Sequence, residues 1–288
     1  MDDRPTFDLQ SHSTYSDGSL PPAAVVQRAA AAGVELLALT DHDTVDGVAE
    51  AADAARRAGI RLLPATELSS LDGDHEDLHV LGYGIDHTNN AFRDTLDAFR
   101  SDRAARAERM AAALEECGWV LERTTLDERR AADLPIGRPH LAQAAFGHPQ
   151  NAARVAEERL QDFGQLLEAY LIPGAPAYRR RTMPTVEQAI DAIHQAGGAA
   201  VWAHPFWDVD APDEVTATVA RFAAAGLDGV EAFYVTHTRE QTEIAYEAAT
   251  AHGLLATGSA DFHGPDHPRF DTFRNFKTYG LNPRLPQT

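Results

Sequence analysis

Hydrophobic residues fall in seven short runs along the chain. They are Phe7-Asp8-Leu9-Gln10, Glu35-Leu36-Leu37-Ala38-Leu39, Arg61-Leu62-Leu63-Pro64-Ala65, Val80-Leu81-Gly82-Tyr83, Ala199-Ala200-Val201-Trp202-Ala203, Asp228-Gly229-Val230-Glu231-Ala232-Phe233-Tyr234 and Leu254-Leu255-Ala256-Thr257-Gly258. Short apolar runs of this kind read as buried strands. Ala-rich segments lie between them. Residues 21–32, 46–58, 213–225 and 239–252 are each followed by a glycine placed as a helix stop, at Gly33, Gly59, Gly226 and Gly253. Residues 185–196 carry apolar side chains at 186, 189, 190 and 193, with Thr185 as the N-cap and Gly197-Gly198 as the stop. Strands alternating with helices predict an α/β fold on a parallel sheet, and seven units suffice to close or nearly close a barrel.

The alternation breaks between residues 89 and 182. Residues 90–117 are long, charged and Ala-rich, 139–146 and 152–171 also have a helical pattern, and no strand run is evident. The expected organisation is a barrel built from 1–88 and 183–288, with 89–182 as a helical insertion packed over the barrel mouth as a lid. Two ordinary connecting helices are the plainer alternative. No repeat of fixed period appears.

The residues that follow the strands carry the candidate chemistry. The first run leads into His12 and Asp17, the second into Asp41-His42-Asp43, and the third into Glu67. His79 opens the fourth run, the fifth leads into His204, and the last leads into Asp261-Phe262-His263. Groups at the carboxyl ends of parallel strands converge on one barrel mouth. Imidazoles and carboxylates gathered there point to a multinuclear metal hydrolase, and this donor set suits Mn, Fe or Zn better than Ca or Mg. Cations held close together need a bridging carboxylate to offset their repulsion, and a water or hydroxide between two of them becomes a nucleophile at a lowered pKa.

Other residues are candidates for support or substrate contact. Asp41 and Asp43 flank His42, and each either orients an imidazole or caps the next turn. Glu231 is a supporting group near the mouth or a solvated one. Arg138, within Gly137-Arg138-Pro139-His140, is the phosphate-clamp candidate, because a guanidinium fork matches phosphate bidentately. His140 is its companion, and His237, after the sixth run, is a candidate at the mouth. The run Arg179-Arg180-Arg181 is either a contact for an extended polyanion or a solvated connection.

Charge narrows the partners. The 288 residues hold 25 Lys+Arg against 44 Asp+Glu, a formal net charge of −19. Such acidity disfavours non-specific binding of long nucleic acid, which rests on phosphate neutralisation, but leaves room for a small phosphorylated ligand. Cys117 is the single cysteine, so no internal disulfide forms and thiolate metal sites are disfavoured. Met1-Asp2-Asp3-Arg4-Pro5 lacks a basic stretch followed by an apolar one, and no run approaches the roughly 18 apolar residues of a membrane span. A cytoplasmic protein without membrane partners is expected.

In order and spacing, Leu9-Gln10-Ser11-His12-Ser13-Thr14-Tyr15-Ser16-Asp17-Gly18, Leu39-Thr40-Asp41-His42-Asp43, Glu67, His79, Ala203-His204-Pro205 and Asp261-Phe262-His263 resemble the polymerase-and-histidinol-phosphatase (PHP) family. Gly137-Arg138-Pro139-His140 and Pro173-Gly174-Ala175-Pro176-Ala177-Tyr178 resemble the branch that contains nucleotide phosphatases and 5′-to-3′ exoribonucleases. The resemblance implies a distorted (β/α)7 barrel with two to three divalent metals. It implies that Glu67 bridges two of them and that His79 and His204 complete one of those sites. Asp17, His42 and His263 would hold a third metal, while His12 and Asp261 would serve the first, beside Gln10. Asp261 and His204 are the residues expected to bear most directly on catalysis. One departure stands out. The family usually has His-x-His after the first strand, and here the first position is Gln10. Gln10 is therefore expected to be a weak or lost ligand, with the metal served by His12 and Asp261 the most weakly held.

The resulting expectation is a metal-dependent phosphoesterase acting through a metal-activated hydroxide. Its substrates would be nucleoside mono- or 3′,5′-bisphosphates, with short oligonucleotides a further class. The alternatives are a histidinol-phosphate phosphatase and a non-catalytic metal- or nucleotide-binding module.

Overall fold

The computed structural model of the protein describes residues 4–131 and 136–287. Its backbone divides into two compact units, Met1–Asp97 with Met183–Thr288, and Ala98–Thr182. Helices α1 (Pro22–Ala31) and α2 (Val48–Ala58) belong to the first unit, and α3 (Asn90–Glu116) runs from the first into the second. The second unit continues with α4 (Arg123–Ala131), α5 (Arg138–Phe146), α6 (Ala152–Glu157) and α7 (Phe163–Tyr170). The chain then returns to the first unit through α8 (Val186–Gln195), α9 (Pro205–Asp208), α10 (Pro212–Ala224) and α11 (Arg239–Ala251). Residues 89–97 thus group with the barrel, a little beyond the boundary expected at 88.

Seven strands form one sheet in sequence order: β1 (Phe7–Asp8), β2 (Leu36–Leu39), β3 (Arg61–Asp72), β4 (His75–Tyr83), β5 (Ala199–Trp202), β6 (Gly229–Tyr234) and β7 (Leu255–Ser259). The sheet is a nearly closed barrel. Leu9 N–H donates to Gly258 O at 3.2 Å, and Ser11 bridges Phe262 in parallel, so the first and last strands meet. One expectation is corrected: the sheet is not wholly parallel. β4 runs antiparallel to both β3 and β5, while the other neighbouring pairs are parallel. The cause is the short link at Gly73, which has φ 57° and turns the chain directly back from Asp72 to His75. A parallel return would need a crossover of a dozen or more residues.

β3 and β4 are also longer than the apolar runs suggest. Thr66, Glu67, Ser69 and Ser70 are fully buried within β3, so strand continues through residues whose polarity marks the end of a hydrophobic run. Glu67 and His79 therefore lie inside strands and not at their ends. The helices pack as their apolar faces dictate: Val25, Val26 and Ala29 of α1 and Ala51, Ala54 and Ala55 of α2 share a core with Leu37, Leu39 and Phe262. In α8, Thr185 Oγ1 accepts from Gln188 N–H at 3.2 Å, the cap expected from its position.

The second unit has its own core of Leu114, Trp119, Leu126, Leu141, Leu166 and Leu171. The single helix expected over 152–171 is two helices. Arg159 takes a left-handed φ of 57°, and Asp162 starts α7 by accepting from Gln165 N–H at 2.9 Å. The arginine run is not a uniformly solvated connection, because Arg181 is buried.

Candidate metal centre

The segment after β1 brings Gln10 and His12 inside the barrel, both buried. The loop beyond folds back because Asp41 gathers it: Ser13 N–H and Ser13 Oγ each donate to Asp41 at 2.7 Å, and Ser16 Oγ donates at 2.8 Å. Gly18 permits this turn, since a Cβ there would lie 2.3 Å from His12 O. Asp17 is thereby returned to the imidazoles. Asp41 shapes the loop, and Asp43 accepts from Ser69 N–H at 3.0 Å, tying the second strand end to β3.

Three residues at this end of the barrel, Asp43 (φ 54°), His204 (φ 30°) and Asp261 (φ 54°), adopt left-handed backbone conformations. Each costs about 1–2 kcal/mol for a residue other than glycine, and the surroundings hold two of them in place. His204 N–H donates to Glu231 Oε2 at 2.9 Å, and Tyr234 Oη–H donates to Asp261 Oδ2 at 2.8 Å. Strain of this sort concentrates where side chains must be aimed.

Glu67 lies at the centre. Its Oε1 is 2.8 Å from His79 Nδ1 and 3.3 Å from His204 Nε2. Its Oε2 is 3.1 Å from His12 Nε2 and 3.8 Å from His42 Nδ1, and accepts from Gln10 Nε2–H at 2.9 Å. His12 Nε2 is also 3.1 Å from Asp261 Oδ1. Above them, Asp17 stands 3.4 Å from His12 Nδ1 and 3.5 Å from both His42 Nε2 and His263 Nε2. Three overlapping groups emerge: His12, Asp17, His42 and His263; His42, Glu67 and His79; and His12, Glu67 and Asp261. Within each, one donor atom per residue lies within 4.8 Å of the others.

These residues fit divalent cations. His12 Nε2, His42 Nδ1 and Asp261 Oδ1 are buried and make no hydrogen bond, although oxygens or nitrogens of opposite character lie close by. Buried polar atoms without partners are costly. Lone pairs that converge on common points without bonding one another are the arrangement a cation satisfies, and the imidazole–carboxylate set suits Mn, Fe or Zn.

The electrostatics agree. Burial opposes a charge on His12, yet the Asp261 and Glu67 carboxylates outweigh it and hold its pKa well above the usual imidazole value. Burial likewise opposes charge on His204, and Glu67 carries its pKa up to about 9. Burial would raise Glu67, but the surrounding imidazoles, His42 and His79 foremost, hold it well below the usual carboxylate range. The cage thus carries fixed anionic charge that protons occupy when metals do not.

The sequence pattern left the supporting groups undecided or unseen. Glu231 is fully buried in mid-β6 and not solvated; besides His204 N–H, it accepts from Ser259 Oγ at 2.6 Å. Burial pushes its pKa up to about 8. Asp8, also buried and raised by that burial to about 7, accepts from Ala260 N–H at 2.9 Å and Arg274 N–H at 2.7 Å, fixing the entry to Asp261. Tyr234 was legible only as a strand residue. Its contact with Asp261 crosses from one strand end to another.

His237 is buried, its ring 5.4 Å from Tyr234 and 5.5 Å from Phe206. Its Nδ1 lies 3.1 Å from Ala232 O, and burial brings its pKa down to about 4, so the ring is neutral near pH 7. Arg138 and His140 open α5 in the second unit, where His140 Nδ1 accepts from Gly137 N–H at 3.0 Å.

A family model for the PHP domain matches residues 8–168. The chain belongs to the PHP domain family and is a metal-dependent phosphoesterase. Over 261 residues, covering 90% of this chain and 87% of the relative, it is 37% identical to a 3′,5′-nucleoside bisphosphate phosphatase of Chromobacterium violaceum. It is 32% identical to a 5′-3′ exoribonuclease of Haemophilus influenzae, with 90% of each chain covered. Among solved structures, a sulfate-bound, metal-free amidohydrolase from Chromobacterium violaceum superposes with a TM-score of 0.73 at 35% identity, covering 93% of this chain and 91% of that one. No helix among the described residues is long and apolar enough to cross a membrane.

Proposed function

We propose that this protein removes phosphate from small nucleotides, nucleoside 3′,5′-bisphosphates foremost, using two or three divalent ions of the Mn, Fe or Zn type. The observation that carries this is Glu67: each of its carboxylate oxygens is flanked by imidazole nitrogens, as a bridge between two cations requires. When bound, such ions supply Lewis-acid neutralisation of phosphate oxygens and activation of water.

The chain's own residues do the remainder. Tyr234 occupies one oxygen of Asp261, so Asp261 Oδ1 stays directed toward His12. Glu231 fixes the strained backbone of His204 and so the direction of its ring. Asp261 and His204 are the proposed catalytic positions. Asp17, brought over the cluster by its loop, would join His42 and His263 in holding an ion. Gln10 serves Glu67 through its N–H, since a carboxylate only accepts and the amide must turn its donor end inward. For the helical insertion, Arg138 is the proposed phosphate contact. His140, in the same motif, is its proposed companion, and His237 the proposed neutral contact from the barrel.

Sequence relatives support the nucleotide class, and the acidic charge of −19 favours small substrates over long polymers. The test is phosphate release with Mn from a panel of nucleoside monophosphates, 3′,5′-bisphosphates, histidinol phosphate and a 5′-phosphorylated dinucleotide. Bisphosphates should give the highest kcat/KM. Preference for histidinol phosphate would replace this reading with that of an amino-alcohol phosphatase. Metal uptake without turnover of any member would leave a binding module.

A further inference from the structure

Beside the cluster, a tryptophan stands out of the core. Of the three tryptophans, Trp119 and Trp202 are fully buried, whereas Trp207 is 47% exposed. It lies on α9, directly after His204, and its backbone N–H donates to His204 O at 2.8 Å. Its ring centroid is 6.4 Å from the His204 ring and 5.8 Å from Phe270. The Arg269 guanidinium sits 5.5 Å from the indole centroid. The short segment that presents Arg269 and Phe270 is fastened by His267, whose Nδ1 accepts from Phe270 N–H at 2.9 Å and whose ring stacks on Phe270 at 5.0 Å. Phe270 in turn lies 5.4 Å from His263. An aromatic shelf with a cation thus adjoins two residues of the candidate metal centre.

A half-exposed indole beside a phosphate-directed site is a flat π-surface that a ligand can cover. A nucleobase has the flat π-face to do so, and its attached phosphate would lie near both the cluster and the positive Arg269. We infer that Trp207 is the platform on which the base of the substrate stacks, with Arg269 drawing the anionic substrate to the shelf. This rests on the nucleotide-phosphatase reading and deepens it by assigning the selection of base-bearing over plain sugar phosphates. Trp207 is a specificity residue in this assignment.

Two measurements test it. First, with Mn-loaded protein, acrylamide quenching reports Trp207 selectively because the other two tryptophans are buried. Adenosine 5′-monophosphate should shield that fluorescence, ribose 5-phosphate should not, and Trp207→Phe should abolish the shielding signal. Second, kcat/KM is compared for adenosine 3′,5′-bisphosphate and ribose 5-phosphate. Trp207→Ala should lower the nucleotide-to-sugar preference about 10-fold, mostly through KM, the scale of a lost base–aromatic stack. Trp207→Phe should restore most of the preference, because a smaller aromatic face remains. An equal loss on both substrates, or no shielding by the nucleotide, would overturn the assignment. If the wild type hydrolyses neither compound, the nucleotide-phosphatase reading fails by itself, and the quenching result still decides whether a base stacks on Trp207.

Discussion

The two oxygens of Glu67 face different neighbourhoods. Oε1 meets the imidazoles of His79 and His204 at 2.8 and 3.3 Å. Oε2 meets His12 at 3.1 Å and His42 at 3.8 Å, but it also accepts the Gln10 amide N–H at 2.9 Å. An oxygen that already accepts a hydrogen bond has less lone-pair density for a cation, and an amide N–H bears a partial positive charge that repels one. We therefore propose that the His79–His204 side is the stronger half of the cage and the Gln10–His12–Asp261 side the weaker. The Gln10 amide is the proposed source of a difference between two halves that share a carboxylate.

The largest test removes what the halves share. Glu67→Gln keeps the shape but deletes the bridging charge. Turnover should fall about 10³-fold, on the order of 4 kcal/mol, with metal lost from both sides. Metal analysis alongside phosphate release checks this, and a variant retaining full metal content and rate would remove Glu67 from the centre.

A second test separates the halves. His204→Ala should cost about 10²-fold in turnover, with one tightly held equivalent lost, whereas His12→Ala should cost less and spare that tight equivalent. Equal damage from the two substitutions would show that the halves do not differ.

Gln10→His should act in the opposite sense. A neutral imidazole nitrogen in place of the amide should tighten the weaker side by about 10-fold, a shift of the size that changes around ligands produce. Metal competition with a chelator reads it. Three equally tight equivalents in the natural protein, unaltered by the substitution, would mean that Gln10 costs the cluster nothing.

The smallest expected effect is on the metal-free protein and follows from its pKa values. His204 is raised from the usual 6.5 to about 9, so its stabilising contribution is complete below pH 6.5 and is lost as pH rises through 9. Asp8, raised by burial from 3.8 to about 7, and Glu231, raised from 4.5 to about 8, favour the fold while protonated. That contribution falls from the ordinary carboxylate range upward and is gone by about pH 7 and 8, so only its tail lies above pH 6. The melting temperature without metal should therefore drop by a few degrees from pH 6 to 9, the scale of about 1 kcal/mol in a domain of this size. The gain on adding Mn should grow over that range, because binding displaces protons from the imidazoles. A metal-free Tm that climbs toward pH 9 would contradict the balance of charges in the cage.

Strand ends made much of the centre legible. His12, His42, His204, Asp261 and His263 all follow short apolar runs, and in the folded chain they stand beyond β1, β2, β5 and β7. The same reasoning misplaced Glu67 and His79. β3 continues through buried Thr66, Ser69 and Ser70, with Thr66 Oγ1 donating to Asp41 O and Ser70 Oγ to Leu78 O, and so leaves no apolar signature, while His79 lies within β4, which pairs back on it. Asp41 takes neither role its place beside His42 offered: it gathers Ser13 and Ser16, well separated from it along the chain.

What the sequence determined by itself is the set of donors and their periodic placement. Local patterning repeats strand, helix and polar end through the barrel, and that order survives folding. Tertiary structure decided the rest: the reversal of β4, the end of the Gln10 amide that faces Glu67, the burial of Glu231 and the exposure of Trp207. Each of these depends on which distant group lies opposite. A residue's neighbours in the chain carry no record of a partner that arrives only when the sheet closes.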